Sequence, residues 1–195
     1  IGQCTAKDGR CVAASDADCK RKKACTDNGR CSARDGVCKP GSSADCHKTY
    51  ECKLRGKCTF KDGSCQLVSD ADCRRSNACK ESGLCARKPD RRGTMQCSAA
   101  TAADCQGSKR CKSQGYCELR TNWNGATCAL SDKGCKGTET CRKEGSCSLY
   151  KRGYVPACAP RFDADCKRSA ACTKEGRCRQ HNPCPSYRPC ARCVK

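Results

Sequence analysis

The sequence predicts a small disulfide-rich α+β fold: a tandem array, solenoid or beaded rod, of units that each hold a short helix and a β-hairpin. Three observations predict it. Cys supplies 28 of the 195 residues, Ile, Leu, Val and Phe together supply only 14, and the Cys recur at fixed spacing. A chain so poor in large apolar side chains cannot build an ordinary core, and with a formal net charge of +20 it would otherwise read as disordered. Cross-links take the place of buried area, each stabilising by about 2–4 kcal/mol, chiefly by restricting the unfolded chain.

The repeat is read from the Cys. Cys4, Cys11, Cys19 and Cys25 form the first quartet, followed by Cys31, Cys38, Cys46, Cys52 and by Cys58, Cys65, Cys73, Cys79. Cys85, Cys97, Cys105, Cys111 and then Cys117, Cys128, Cys135, Cys141 lengthen the first gap, as do Cys147, Cys158, Cys166, Cys172. Cys178, Cys184, Cys190 and Cys193 make a degenerate last quartet. Five residues separate consecutive quartets every time and read as linkers. The boundaries of the repeats fall at 1–30, 31–57, 58–84, 85–116, 117–146 and 147–177, with 178–195 as the degenerate unit. All 28 Cys are expected to be structural, in disulfides.

In each quartet the first gap carries a hairpin. Asp8-Gly9, Asp35-Gly36 and Asp62-Gly63 suit the two central positions of a type I′ turn. With Asp8-Gly9 as the loop, Ala6 pairs with Cys11, and Cys4 faces the same side as Ala6. In the longer gaps, Asn124-Gly125 and Arg152-Gly153 are the expected turns, and Trp123, Tyr150 and Tyr154 hold most of the bulk.

The second and third gaps carry a helix. Ser15 and Asp18, Ser42 and Asp45, Ser69 and Asp72, and Thr101 and Asp104 have the spacing of capping boxes. Gly29, Gly56, Gly83, Gly115, Gly145 and Gly176 stand two residues before the next Cys, where a left-handed residue ends a helix. One helix of about ten to twelve residues is expected between these signals. In a straight helix, Cys19 and Cys25 lie about 9 Å apart along the axis, too far for a bond to each other. Bridges from helix to hairpin are expected. Whether a helix joins the hairpin before it or the one after it is open at this level.

A unit of about 27 residues buries no core alone, but stacked units do. The pattern DADC-x5-C-x3-G-x-C, seen in "DADCRRSNACKESGLC" and "DADCKRSAACTKEGRC", resembles the Cys-rich tandem repeats of secreted proteins and lipoproteins of myxobacteria and related bacteria. The resemblance spans roughly Cys4 to Cys178. It implies secretion and carries no activity with it.

Little in the sequence supports catalysis, and no enzyme and no cofactor are expected. His47 and His181 are the only His, and a Cys nucleophile would need a free thiolate. His181, Cys184, Cys190 and Cys193 have ligand types that suit zinc, but three Cys spent on metal would leave an odd number for pairing. No apolar run approaches the roughly 20 residues of a membrane span, and the opening "IGQCTAKDGRC" reads as a processed, secreted, extracellular form.

The function expected is that of a structural subunit of an extracellular filament or matrix, assembled head to tail with copies of itself. The array opens with a hairpin that lacks an upstream helix and closes with a Pro-rich segment that lacks one of its own. Cys4, Cys11, Cys184, Cys190 and Cys193 are therefore the candidate assembly ends. The alternative is a monomeric cationic rod that binds anionic polysaccharide or nucleic acid without regard to sequence. Protease inhibition, through the insertions 88–95 or 121–127, and antimicrobial action are further readings.

Overall fold

A computed structural model describes residues 4–7, 9–122, 125–151, 156–183 and 191–195. The chain divides into two compact units, one of 1–79 with 85–97 and one of 80–84 with 98–195. Both are built from the same alternation of two-stranded antiparallel hairpins and pairs of short helices.

In the first unit, β1 (Thr5–Lys7) and β2 (Arg10–Val12) precede α1 (Asp16–Lys20) and α2 (Lys23–Asn28). Next come β3 (Ser32–Arg34), β4 (Val37–Lys39), α3 (Ser43–Cys46) and α4 (Tyr50–Arg55). Then follow β5 (Thr59–Lys61), β6 (Ser64–Gln66) and α5 (Asp70–Arg75). The helix α6 (Asn77–Ser82) passes into the second unit, and β7 (Ala86–Pro89) and β8 (Met95–Ser98) form the next hairpin.

The second unit continues with α7 (Ala102–Gly107), α8 (Lys109–Gln114), β9 (Glu118–Asn122) and β10 (Gly125–Ala129). After these come α9 (Asp132–Lys136), α10 (Glu139–Glu144), β11 (Ser148–Tyr150) and β12 (Ala157–Ala159). The series ends with α11 (Asp163–Lys167), α12 (Ala170–Glu175), β13 (Arg179–His181) and β14 (Arg192–Val194).

Turn chemistry sets the hairpin register. Asp35 and Gly36 have φ of 53° and 75°, and Asp62 and Gly63 have 48° and 78°. Both central positions are therefore left-handed, the requirement of a type I′ turn. The ladders place Ala6 opposite Cys11, Ala33 opposite Cys38 and Phe60 opposite Cys65. The fifth hairpin departs from the reading of the sequence. Asn122 pairs with Gly125, so Gly125 opens β10 rather than sitting in the loop. Asn124, like Asp8, Trp123 and 152–155, lies outside the described residues.

The expected single helix is two helices. Each first helix stops at its Cys or within two residues after it, and a second begins after an extended residue: Thr49, Ser76, Ser108, Thr138 or Ser169. That residue's hydroxyl donates to the carbonyl of the first-helix Cys, at 2.6 Å from Ser76 to Cys73 and 2.7 Å from Ser108 to Cys105. It also accepts the amide of the second-helix Cys, at 3.1 Å for Ser108 and Cys111. One side chain thus ends one helix and caps the next, competing with the backbone ladder that a continuous helix would need. Ser76, Ser108, Thr138 and Ser169 are buried. In the first pair Lys22 holds this place and makes no side-chain cap.

The core is mostly sulfur. Cys19, Cys46, Cys73, Cys105, Cys135 and Cys166, one per helix pair, have 0% exposure. The second unit adds small apolar clusters, one of Ala99, Cys105 and Cys128 with Leu84 and Leu119 against it, another of Leu130, Cys135 and Leu149. Tyr116 packs on both and carries the Arg110 guanidinium 3.8 Å above its ring. Tyr150 is buried as well.

Candidate functional site

The features that recur along the chain lie at the joints between helix pairs and hairpins. Covalent connection comes first. The first-helix Cys bridges to the second strand of the hairpin that follows: Cys19–Cys38, Cys46–Cys65, Cys73–Cys97, Cys105–Cys128, Cys135–Cys158 and Cys166–Cys193. The second-helix Cys bridges to the Cys six residues on: Cys25–Cys31, Cys52–Cys58, Cys79–Cys85, Cys111–Cys117, Cys141–Cys147 and Cys172–Cys178. Each long bridge therefore encloses a short one. The left-handed glycine makes the short one possible. At Gly29, with φ of 66°, the chain reverses and brings the Cα atoms of Cys25 and Cys31 to 4.5 Å.

The five-residue gaps read from the sequence as linkers are thus loops closed by disulfides. The stretches that no bridge spans are those between a hairpin's second Cys and the Cys of the next first helix, such as 39–45 and 66–72. The covalent modules straddle the repeat boundaries at 30, 57, 84, 116, 146 and 177.

Cys4 and Cys11 bridge to each other within the first hairpin. Cys193, named with them as an assembly end, is bridged to Cys166. Cys184 and Cys190 lie outside the described residues. Among the described residues no Cys is free and no cluster of metal-ligating side chains forms. A zinc site of His181 with Cys184, Cys190 and Cys193 would have to break the Cys166 bridge. His47 is exposed, with Arg75 Nη1 2.9 Å from its Nε2.

Polar ties come second, and they explain the phrase "DADC". The first residue of five of the six first helices accepts an amide from the following hairpin. Asp16 accepts from Ala33 at 2.8 Å, Ser43 from Phe60 at 2.9 Å and Asp70 from Arg87 at 2.7 Å. Asp132 accepts from Leu149 at 2.8 Å and Asp163 from Gln180 at 2.7 Å. The third residue looks the other way. Asp72 accepts the amides of Val68 and Ser69 and the hydroxyl of Thr59 in the hairpin before it. Asp165 does the same with the amide of Arg161 and the hydroxyl of Ser148. At Asp18 the Ser15 amide, helped by that of Ala14 and by the Ser15 and Thr5 hydroxyls, outweighs desolvation and holds the carboxyl below its usual value. Two carboxylates two residues apart thus hold one helix between two hairpins.

Close backbone approach is the third element. A Cβ placed at Gly83 would stand 2.7 Å from the Asp104 carbonyl oxygen and 2.8 Å from Cys128 Sγ. At Gly115 it would meet Cys135 N and Cys158 Sγ, both at 2.9 Å, and at Gly145 it would meet Cys193 Sγ at 2.8 Å. At Gly56, Gly83, Gly115 and Gly145 the end of a helix pair therefore lies against the next pair's first helix and its long disulfide. Gly176, with φ of 70°, has nothing among the described residues within 4 Å of such a Cβ.

Fold and joints define a class: a disulfide-clamped tandem repeat of paired short helices and two-stranded hairpins. No protein-family description matches this chain, and no curated protein or solved structure matches it either. Among the described residues no helix is long and apolar enough to cross a membrane.

Proposed function

We propose that the protein is a secreted, non-enzymatic structural element of an extracellular filament or matrix, associating head to tail with copies of itself. The observation that carries this reading is Gly176. At five earlier positions the equivalent glycine touches the next pair's first helix, and Gly176 touches nothing among the described residues. The partner face on a second copy is α1 with the Cys19–Cys38 bridge, which no helix pair covers among the described residues. The joint between copies then repeats the joint within a copy, and a heterologous contact of that kind propagates without closing. The hairpin β1–β2 of the incoming copy must yield its place to β13–β14. It is suited to do so, because its only disulfide is the internal Cys4–Cys11 and its side-chain tie to α1 is Thr5 to Asp18 at 3.5 Å.

Association is noncovalent at Cys4, Cys11 and Cys193, all bridged within the chain. The test is Gly176→Asn, examined by sedimentation over a concentration series and by electron microscopy. Asn tolerates the left-handed conformation, and among the described residues nothing lies within 4 Å of its Cβ. The expected result is a folded variant that associates at least tenfold more weakly than wild type. Equal association of the two, or a wild type that stays monomeric at all concentrations, overturns the reading.

A second reading, binding of anionic polysaccharide or nucleic acid, is favoured by charge at the helix breaks of the first unit. Lys20 and Arg21, His47 and Lys48, and Arg74 and Arg75 are exposed at successive breaks, and the approach of Arg75 to His47 puts two breaks side by side. Retention on a heparin column that falls steeply with salt supports it. Elution with uncharged controls removes it.

A further inference from the structure

One joint breaks the rule of the other five. The first residue of α7 is Ala102, which has no oxygen to offer the hairpin that follows. The amide it leaves is that of Leu119, 17 residues on, which stands opposite Cys128 as Phe60 stands opposite Cys65. That register position points its N–H out of the hairpin, and among the described residues the Leu119 amide has no acceptor. The next helix drops a carboxylate too. Gly134 occupies the third position of α9, where α1, α3, α5, α7 and α11 carry Asp18, Asp45, Asp72, Asp104 and Asp165.

The two omissions meet in an open cleft of about 670 Å³ lined by Ala102, Leu119, the Cys111–Cys117 bridge, Lys112 and Lys133. Neither lysine is in an ion pair among the described residues. The acidic residue of the lining, Glu118, is turned to Arg120, 3.6 Å away. The cleft therefore presents an unmatched hydrogen-bond donor, an excess of positive charge and an apolar wall, at the place where five sister joints hold an oxygen 2.7–2.9 Å from the same amide.

We propose that this cleft is a binding site for a small organic carboxylate with a short apolar body. One carboxylate oxygen accepts the Leu119 amide, as Asp132 accepts that of Leu149. The charge is met by Lys112 and Lys133, and the apolar body lies along Leu119, Ala102 and the disulfide. The ligand supplies from solution the side-chain oxygen that the sequence omits at residue 102. The site stands apart from the Gly176 face and does not depend on self-association.

The test is a titration of the ¹⁵N-labelled, fully oxidised protein with hexanoate, following the Leu119 amide, with hexanol and hexylamine as controls. Hexanoate is expected to shift the Leu119 amide saturably, and the two controls are not. Ala102→Asp should abolish the shift, because its own carboxylate occupies the amide. This variant keeps the fold, since Asp stands at the same place in α1, α5, α9 and α11. Replacing Lys112 and Lys133 together by Gln should weaken hexanoate at least about tenfold, the loss of one charge-assisted contact. A Leu119 amide that does not respond to hexanoate, an equal response to hexanol, or undiminished binding in Ala102→Asp overturns the proposal.

Discussion

The carboxylate of Asp132 accepts the backbone amide of Leu149 at 2.8 Å, tying the first turn of a helix to a strand 17 residues further along. Replacing Asp132 by Ala should cost about 1–2 kcal/mol, and Asp132→Asn, whose amide oxygen still accepts, less than half of that. Hydrogen exchange reads it directly. The Leu149 amide should lose protection in Asp132→Ala while the amides of α12 keep theirs, and unchanged protection at Leu149 would show that the tie carries no weight.

The hydroxyls at the helix breaks should be costly to remove. Ser108 is 1% exposed and satisfies the Cys105 carbonyl and the Cys111 amide together. Ser108→Ala should therefore destabilise by about 1–2 kcal/mol in chemical denaturation with the disulfides intact. The converse applies at Lys22, where no side chain caps α2. There Lys22→Ser should stabilise by about 0.5–1 kcal/mol.

Two glycines with nearly the same backbone separate conformational strain from crowding. Gly83 and Gly176 have φ of 72° and 70°, so an Ala at either position costs about 1–2 kcal/mol for the left-handed conformation. At Gly83 the new methyl also meets the Asp104 carbonyl and Cys128 Sγ. Gly83→Ala should lower the melting temperature clearly more than Gly176→Ala. Equal losses would mean that the joint gives way without resistance.

The nested bridges should differ in worth. Cys73–Cys97 closes a separation of 24 residues and Cys79–Cys85 one of 6. Chain entropy then makes the long bridge about 1 kcal/mol more stabilising than the short one. Paired Cys→Ala replacements, compared in guanidinium, measure the difference. The connectivity itself is checked by peptide mapping without reductant, which should yield Cys19 linked to Cys38 and not to Cys11.

Acid should loosen the joints. The Asp18 carboxyl is held below the usual carboxylate value, first by the Ser15 amide, and that of Glu51 is held down first by Lys57. The unfolded chain takes up these protons before the folded one. The stabilisation is therefore complete above about pH 5 and is lost as pH falls through the lower folded values. Thermal melts between pH 2 and pH 7 should be flat at the upper end and fall at the lower, and Asp18→Asn should flatten the acid limb. A melting temperature that rises on acidification contradicts the assignment.

Much of this architecture was legible in local chemistry. Asp35-Gly36 and Asp62-Gly63 admit few backbone conformations, so the hairpins and their register followed from the dipeptides. Gly29 and its counterparts marked the helix ends for the same reason. The break inside each helix was less visible, although Thr49, Ser76, Ser108, Thr138 and Ser169 each stand three residues before a Cys. A mid-helix hydroxyl is tolerated in many helices, and only burial beside the Cys carbonyl makes it a terminator. Connectivity was out of reach because spacing gives separations and not directions. The reversal at Gly29 sends the chain back along the helix pair, and that turn decides that Cys25 meets Cys31. The outward-facing Leu119 amide stands out only against the register of the other five joints.

The nesting of short bridges inside long ones has a mechanical consequence. A pull on the chain passes from Cys38 straight to Cys19 through sulfur, and the helices and strand between them carry no load. Only the unspanned stretch from one module's last Cys to the next module's first, Cys38 to Cys46 for example, straightens under tension. At about 3.5 Å per residue that is about 30 Å of reach for each module, against about 95 Å for the same 27 residues unbridged. A chain so bridged stiffens early and hides little slack for force to release.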